Sequence, residues 1–387
     1  MTSNESNAAD TQDDHRRLLV LLNEYGISEN AQRLLALQLT GGCIYTHGER
    51  HIRGEINMAL FVGSEANQSG LLETLTAISP GSTTINATGA SYGGLIANAS
   101  GQSVEPGILL DDQYDRYFIH RAGDLGERTR RALSGLLESG THTITKSNVH
   151  KRLENHASYL LTDTPRYGDW DKYEPLSDQL PITGELLSKF DLVVASHESG
   201  RVNYGVDPLT RDAATQYLSG VRSITPAFSE DVREELTTRL VSLQERLDDD
   251  RPPVKLQFHS FRRFVDAAAR LERSETVEPH HIEYATSLIE EAFEDLGILT
   301  VPEEEEYDVD VIETGRSKTQ RDRVKGIKQI IRELQEEYDG EPGVPEEKVY
   351  QRAEESGLER NKAENEIQKL KNKGDAYSPI EDYLRLV

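Results

Sequence analysis

Residues 53–80 read RGEINMALFVGSEANQSGLLETLTAISP, and this stretch decides the fold. Asn57-Met58-Ala59-Leu60-Phe61-Val62 is a short apolar strand that ends at Gly63. Leu71, Leu72, Leu75 and Ile78 then recur at helical spacing. A strand, a glycine turn and a helix form the context of a phosphate-binding loop. There, backbone N–H groups and a helix N-terminus meet the phosphates, a lysine reaches the β- and γ-phosphates, and a Ser or Thr hydroxyl serves Mg²⁺. The loop here is GSEANQS. Gly63 opens it and Ser69 stands for the magnesium hydroxyl, but Gln68 occupies the lysine position, Glu65 adds repulsion, and the loop is one residue short.

Outward from this loop, residues 17–25 and 28–39 read as helices, with further strands at Tyr117–His120, Ser158–Thr162 and Leu192–Ala195. Strands alternating with helices predict a wound α/β sheet over 15–205. Residues 206–300 change texture: helices at 209–218, 229–247, 257–273 and 279–296 follow one another as a helical lid, the last with Pro279 in its first turn. An acidic linker spans 301–316. In 317–387, Val324, Ile327, Ile331 and Leu334 form one helical stripe, Val349 and Ala353 a second, and Ala363, Ile367 and Leu370 a third. Tyr377 and Tyr383–Leu386 close the segment as a β-wing. That order predicts a small α+β winged helix-turn-helix domain. Residues 1–14 read as a disordered acidic tail.

Composition bounds the function. The chain of 387 residues carries 43 Lys+Arg against 68 Asp+Glu, a formal net charge of −25. Such a balance excludes nucleic-acid binding by the surface as a whole, because phosphate affinity comes from basic patches. The basic residues divide into 13 Lys and 30 Arg, and an acid-rich, lysine-poor globular chain reads as halophilic. Eight of the lysines fall between Lys318 and Lys373; over 316–373, 14 basic residues face 13 acidic ones, so this stretch is nearly neutral. The only cysteine, Cys43, excludes an intrachain disulfide and a cysteine-based zinc site, which fits a reducing cytoplasm. No apolar run approaches the ~20 residues of a membrane span, so no membrane partner is expected.

Several motifs, each short, occur in one order: Leu39-Thr40-Gly41-Gly42, Arg53-Gly54-Glu55-Ile56-Asn57, Thr88-Gly89-Ala90-Ser91-Tyr92-Gly93-Gly94-Leu95, Thr141–Val149, Leu186-Leu187-Ser188-Lys189-Phe190-Asp191-Leu192, and the terminal Tyr383-Leu384-Arg385-Leu386-Val387. Together they resemble the AAA+ motor of the minichromosome maintenance (MCM) replicative helicases of archaeal type. The match is collinear over roughly 28–300 and 317–387. The resemblance implies an AAA+ P-loop sheet with a helical lid and a C-terminal winged helix, ATP and Mg²⁺ as cofactors wherever the phosphate loop still works, and DNA and an MCM ring as partners. It identifies 88–95 with a DNA-facing insert, 141–149 with the pre-sensor hairpin and 186–192 with the arginine-finger segment. Residues 1–40 are too short for the family's N-terminal OB-fold and zinc-bearing domain.

The same resemblance implies that the catalytic set is degenerate. The metal-binding Asp-Glu pair at a strand end corresponds to His120-Arg121, the sensor asparagine to Thr164, the arginine finger to Lys189 and the second sensor arginine to Leu256. Lysine keeps the charge of a finger without its bidentate fork, and one lost finger alone costs roughly 10³–10⁵ in rate. No nucleotide cofactor is therefore expected. Asp111, Asp112 and Asp115 are the nearby carboxylates that would have to substitute. The DNA-facing features survive better: Lys146 falls in the pre-sensor hairpin, and Arg360, Lys362, Lys369, Lys371 and Lys373 surround the third tail helix, where side chains of this kind meet phosphates.

Three other clusters carry less. His280-His281 with Glu283 lack the i, i+4 spacing that would converge on a metal. Trp170 and Tyr167 read as packing residues. Ser199-Gly200 lacks the preceding Gly-x of a nucleophile elbow. The expectation is a DNA-replication-associated, MCM-like protein with an inactive ATPase site, acting on DNA or on an active MCM ring. The rivals are an ATP-hydrolysing subunit of a mixed hexamer and a winged-helix DNA-binding regulator.

Overall fold

Met58–Val62 is buried at every position, as a strand flanked by parallel neighbours must be. In the computed structural model it is the second strand of a five-stranded sheet. With β1 as Met58–Val62, β2 as Ser82–Asn86, β3 as Arg116–His120, β4 as Ser158–Asp163 and β5 as Leu192–Ser196, the order is β5-β1-β4-β3-β2, and every pairing is parallel. The structure describes residues 13–63, 67–100, 103–146, 149–168, 170, 176–182, 184–196, 201–247, 256–299, 327–328, 330–335, 338, 343–356, 360, 363, 367, 370–371, 376–380 and 383–386. The sheet is the wound α/β layer expected from the sequence. Its edge strand β2 went unread because only Ile85 of Ser-Thr-Thr-Ile-Asn is buried.

The registers bring the carboxyl ends of β1, β4 and β3 level: Asp163 lies opposite Phe61, and Thr162 opposite His120. The helix Gln68–Ile78 starts beside these ends and packs Leu71, Leu72, Leu75 and Ile78 into the core. Two antiparallel hairpins leave the sheet, Ala97–Ser100 with Ser103–Pro106 and Thr141–Lys146 with Val149–Glu154. The second runs five residues beyond the expected Val149.

The lid consists of Arg211–Arg222, Glu230–Glu245, Phe258–Leu271 and Pro279–Asp295, and it shares one hydrophobic core with the sheet. Asp191, at the entry to β5, anchors the third of these helices. It accepts hydrogen bonds from Arg53 Nη2 (3.0 Å), the Asn57 amide (2.8 Å) and Ser260 Oγ (2.8 Å), and pairs with Arg263. Trp170 is buried and donates Nε1–H to the Asp295 carbonyl at 2.7 Å, whereas Tyr167, expected to pack, is 76% exposed.

A second compact unit contains the tail from Val301 onward. Its described residues include helical segments at 327–328, 330–335 and Glu346–Glu355, and single helical positions within 360–371. Val344–Pro345, Tyr383–Leu386 and Ala376–Tyr377 form a small antiparallel sheet. Ile327, Ile331, Leu334, Val349, Ala353, Ala363, Ile367 and Leu370 are all buried in its core. Val324, also assigned to the first stripe, lies outside the described residues, as do 1–12 and 301–326.

Candidate nucleotide site and a basic hairpin

A cavity of about 290 Å³ opens at the carboxyl ends of β1, β4 and β3, lined by Asn67, Gln68, Ser69, His120, Arg121, Asp163 and Thr164. The structure thus gathers five of the residues singled out in the sequence, Gln68, Ser69, His120, Arg121 and Thr164, around one space. Gly63 ends the strand beneath it, and 64–66 lie outside the described residues. The remaining two fall elsewhere. Lys189 pairs with Glu138 at 2.9 Å and lines a separate cavity of about 410 Å³ with His51, Arg53, His259 and Arg263. Leu256 is buried ahead of the third lid helix, where its carbonyl accepts from Gln244 Nε2 at 2.7 Å.

Within the first cavity the polar groups bind one another. Gln68 Nε2 donates to Thr164 Oγ1 at 2.8 Å. Asn67 caps its helix by accepting the Gly70 amide at 3.0 Å. His120 Nδ1 stands 3.4 Å from Thr162 Oγ1; burial, and then the neighbouring Arg121 guanidinium, lower its pKa and favour the neutral ring. Arg121 adopts a left-handed backbone conformation, φ 56°, which is uncommon for a side-chain-bearing residue and marks strain at a site.

Asp163 escaped the sequence reading. It ends β4 between the strand carrying the phosphate loop and the strand carrying His120, and a carboxylate at a central strand's carboxyl end was the available signal. Its Oδ2 accepts the Gly123 amide at 2.6 Å and its Oδ1 the Thr164 amide at 2.8 Å. Burial raises its pKa, and those two amides act in the opposite direction. Asp111, Asp112 and Asp115 do not reach this space: they precede Arg116, the first residue of β3, whereas the cavity lies at its far end, roughly 13 Å away at 3.3 Å per residue.

The 141–154 hairpin concentrates positive charge. Its sequence holds Lys146, Lys151 and Arg152 against the single acid Glu154, with His142 and His150 besides. Lys151 and Arg152 are exposed, and Arg152 Nε reaches Glu154 at 2.9 Å. At the hairpin base Tyr92 OH meets His142 Nε2 at 3.0 Å, and the Arg128 guanidinium lies 3.8 Å over the Tyr92 ring, which joins the 88–95 segment to the hairpin. The sequence reading stopped at Lys146 and missed Lys151 and Arg152.

In the tail two of the five cations expected to meet phosphates are described, and each has a carboxylate partner. Arg360 forms a fork with the Glu347 carboxylate, and Lys371 pairs with Glu346, so both cations are engaged within their own unit. Lys362, Lys369 and Lys373 lie outside the described residues.

A metal reading of the paired histidines also changes. Among the described residues, Glu272, His280 and His281 bring ligand atoms within 4.8 Å of one another, so the acid is Glu272 and not Glu283. His281 Nδ1 accepts the Glu278 amide at 2.9 Å, which places the proton of the neutral ring on Nε2, 3.2 Å from Glu272. A protonated Nε2 has no lone pair for a metal. The cluster is a hydrogen-bonded clamp at the start of the last lid helix.

Residues 13–201 match the family model described as the MCM P-loop domain. The chain is similar to an uncharacterized MCM-type protein of Methanocaldococcus jannaschii, 27% identical over 290 residues that make up 66% of this chain and 37% of the relative. It is also similar to the minichromosome maintenance protein MCM of Saccharolobus solfataricus, 23% identical over 326 residues, 78% of this chain and 47% of the relative. With the DNA replication licensing factor mcm4-B of Xenopus laevis it shares 24% identity over 346 residues, 79% of this chain and 39% of the relative. The chain spans less than half the length of these curated relatives. Among the described residues no helix is long and apolar enough to cross a membrane. The ordered sheet, the loop-bearing strand and the family match agree: residues 13–201 form a domain of the MCM P-loop type.

Proposed function

We propose that this protein is a replication-associated MCM-like scaffold or regulator that binds DNA, an active MCM ring or both, and does not hydrolyse ATP. The observation that carries the reading is the hydrogen bond from Gln68 to Thr164, with His120 and Arg121 closing the same cavity. A triphosphate with its magnesium ion needs a cation at the lysine position and carboxylate oxygens for the metal. Gln68 supplies no charge, and the Arg121 guanidinium beside the neutral His120 ring repels a divalent cation. Among the described residues that line the cavity the one carboxylate, Asp163, has an oxygen committed to each of two backbone amides. These residues do not fit magnesium-bound ATP.

DNA binding rests on the 141–154 hairpin, whose cations stand out on a chain of net charge −25. The tail, read as a winged helix, serves as a second contact module, for protein or DNA. The acidic, lysine-poor composition is that of a halophilic archaeal protein working in concentrated salt.

Phosphate release is the test, from this chain alone and mixed with an intact archaeal MCM hexamer. The expected result is no turnover alone and none added to the ring's own rate per active subunit. A mixed ring that hydrolyses faster in proportion to this chain would favour the mixed-hexamer enzyme instead.

A further inference from the structure

The amino ends of the core strands, opposite the nucleotide cavity, gather three arginines. Arg116 opens β3 between Ser82 of one neighbouring strand and Ser158 of the other. Its side chain is 11% exposed, and its Nε and Nη1 have no hydrogen-bond partner. Asp115 is its ion-pair partner among the described residues, with Oδ1 4.0 Å from Nε on a side chain that is 68% exposed. Arg222, the last residue of the first lid helix, donates Nε to the Leu39 carbonyl at 2.8 Å and Nη2 to Ser79 Oγ at 3.3 Å. Ser79 in turn accepts the amide of Ser82, the residue opposite Arg116. Arg270 donates Nε to the Ile224 carbonyl at 2.7 Å and Nη1 to the Gly41 and Gly42 carbonyls at 2.9 and 2.6 Å.

Carbonyl and hydroxyl oxygens accept from Arg222 and Arg270; the Asp266 carboxylate interacts with the Arg270 charge, and Glu55 acts alongside Asp115 on Arg116. Burial lowers the pKa of Arg222, and its strongest electrostatic neighbour is another guanidinium, Arg116. Buried charges call for a counter-charge, and the Asp115 carboxylate, mostly in water, is a weak one. Water would fill the empty donor positions of Arg116 without supplying that charge.

We propose that Arg116 and Arg222 together hold a small monovalent inorganic anion of the chloride class, which accepts from Arg116 Nε and Nη1. The site lies at the opposite end of the sheet from the phosphate loop and makes the fold itself dependent on a specific anion.

The test is thermal unfolding of the full chain at a fixed high concentration of potassium glutamate, with KCl titrated in at constant ionic strength. A ligand that binds only the folded state raises Tm with its concentration. Wild type is expected to show a saturable rise, Arg116→Met none, and Asp115→Asn a larger one, because the competing carboxylate is gone. A wild type without the saturable rise, or an equal rise in Arg116→Met, would overturn the proposal. Should Arg116→Met fail to fold, crystals of wild type and Asp115→Asn grown in bromide decide the matter. An anomalous peak within hydrogen-bond distance of Arg116 supports the site, and no peak there refutes it.

Discussion

Gln68 and Thr164 are joined by a hydrogen bond of 2.8 Å from Nε2 to Oγ1. Ninety-six residues separate them, and they occupy the two positions where the family resemblance places a phosphate-binding lysine and a sensor asparagine. The contact fills with protein the space where a lysine would meet a phosphate.

Restoring the lysine alone is therefore not expected to restore chemistry. Gln68→Lys breaks the contact with Thr164 and adds a cation, but His120 and Arg121 still occupy the place of the metal-binding pair. Phosphate release by this variant should stay at background. Measurable turnover would mean that Asp163 exchanges its amide partners for a metal ion.

The hairpin cations should behave as phosphate contacts. Lys151→Ala is expected to weaken DNA binding similarly on unrelated sequences, and to reduce the slope of log affinity against log salt by about 1. Fluorescence anisotropy across a KCl series measures both. Arg360→Ala, which removes a cation already paired with Glu347, should leave that slope unchanged. A slope that falls with Arg360 and not with Lys151 would move the DNA contact to the tail.

Asp191 holds two arginines in the core. Burial tends to raise its pKa, but Arg53, Arg263, the Asn57 amide and Ser260 more than offset this and leave it below the ordinary carboxylate value. Asp191→Ala strands both guanidinium groups, so it should cost about 3–5 kcal/mol in chemical denaturation, the range for breaking a buried pair by removing one member. A loss below about 1 kcal/mol, the level of an exposed pair, would show that water reaches the cluster.

Much of this fold was legible because parallel central strands announce themselves. Met58–Val62 and Leu192–Ser196 are buried throughout, and Met58–Val62 and Leu192–Ala195 read as unbroken apolar runs. Ser82–Asn86 carries a single buried residue, so no apolar run marks it, and its β-branched Thr83, Thr84 and Ile85 are the only strand signal. The cavity positions could be counted off along the chain, whereas the hydrogen bonds that close the cavity could not. Asp163 shows why: as sequence it is one acid among 68, and only the parallel register beside His120 makes it part of the site. The pairing of Lys371 with Glu346, 25 residues apart, was equally hidden. So was the clamp on Glu272, whose histidine partners follow eight and nine residues later.

That clamp carries a pH signature. Hydrogen bonds from His281 and His280 lower the Glu272 pKa to about 2. A carboxyl depressed on folding stabilises the protein above its unfolded pKa of ~4.3, and the contribution is lost as pH falls towards the folded value. Wild type should thus lose stability from about pH 4.3 downward more steeply than Glu272→Gln, as followed by circular dichroism melts. Parallel curves for the two proteins would show that the histidines do not hold this carboxylate in solution.

The central claim is that the motor fold is kept as a scaffold without its nucleotide. Titration with labelled Mg-ATP in molar KCl, with an intact archaeal MCM as the positive control, tests it most directly. The account predicts no saturable binding up to millimolar nucleotide. Saturable binding at micromolar nucleotide would contradict it, and the cavity formed by Gln68, His120, Arg121 and Thr164 would then be a working nucleotide site.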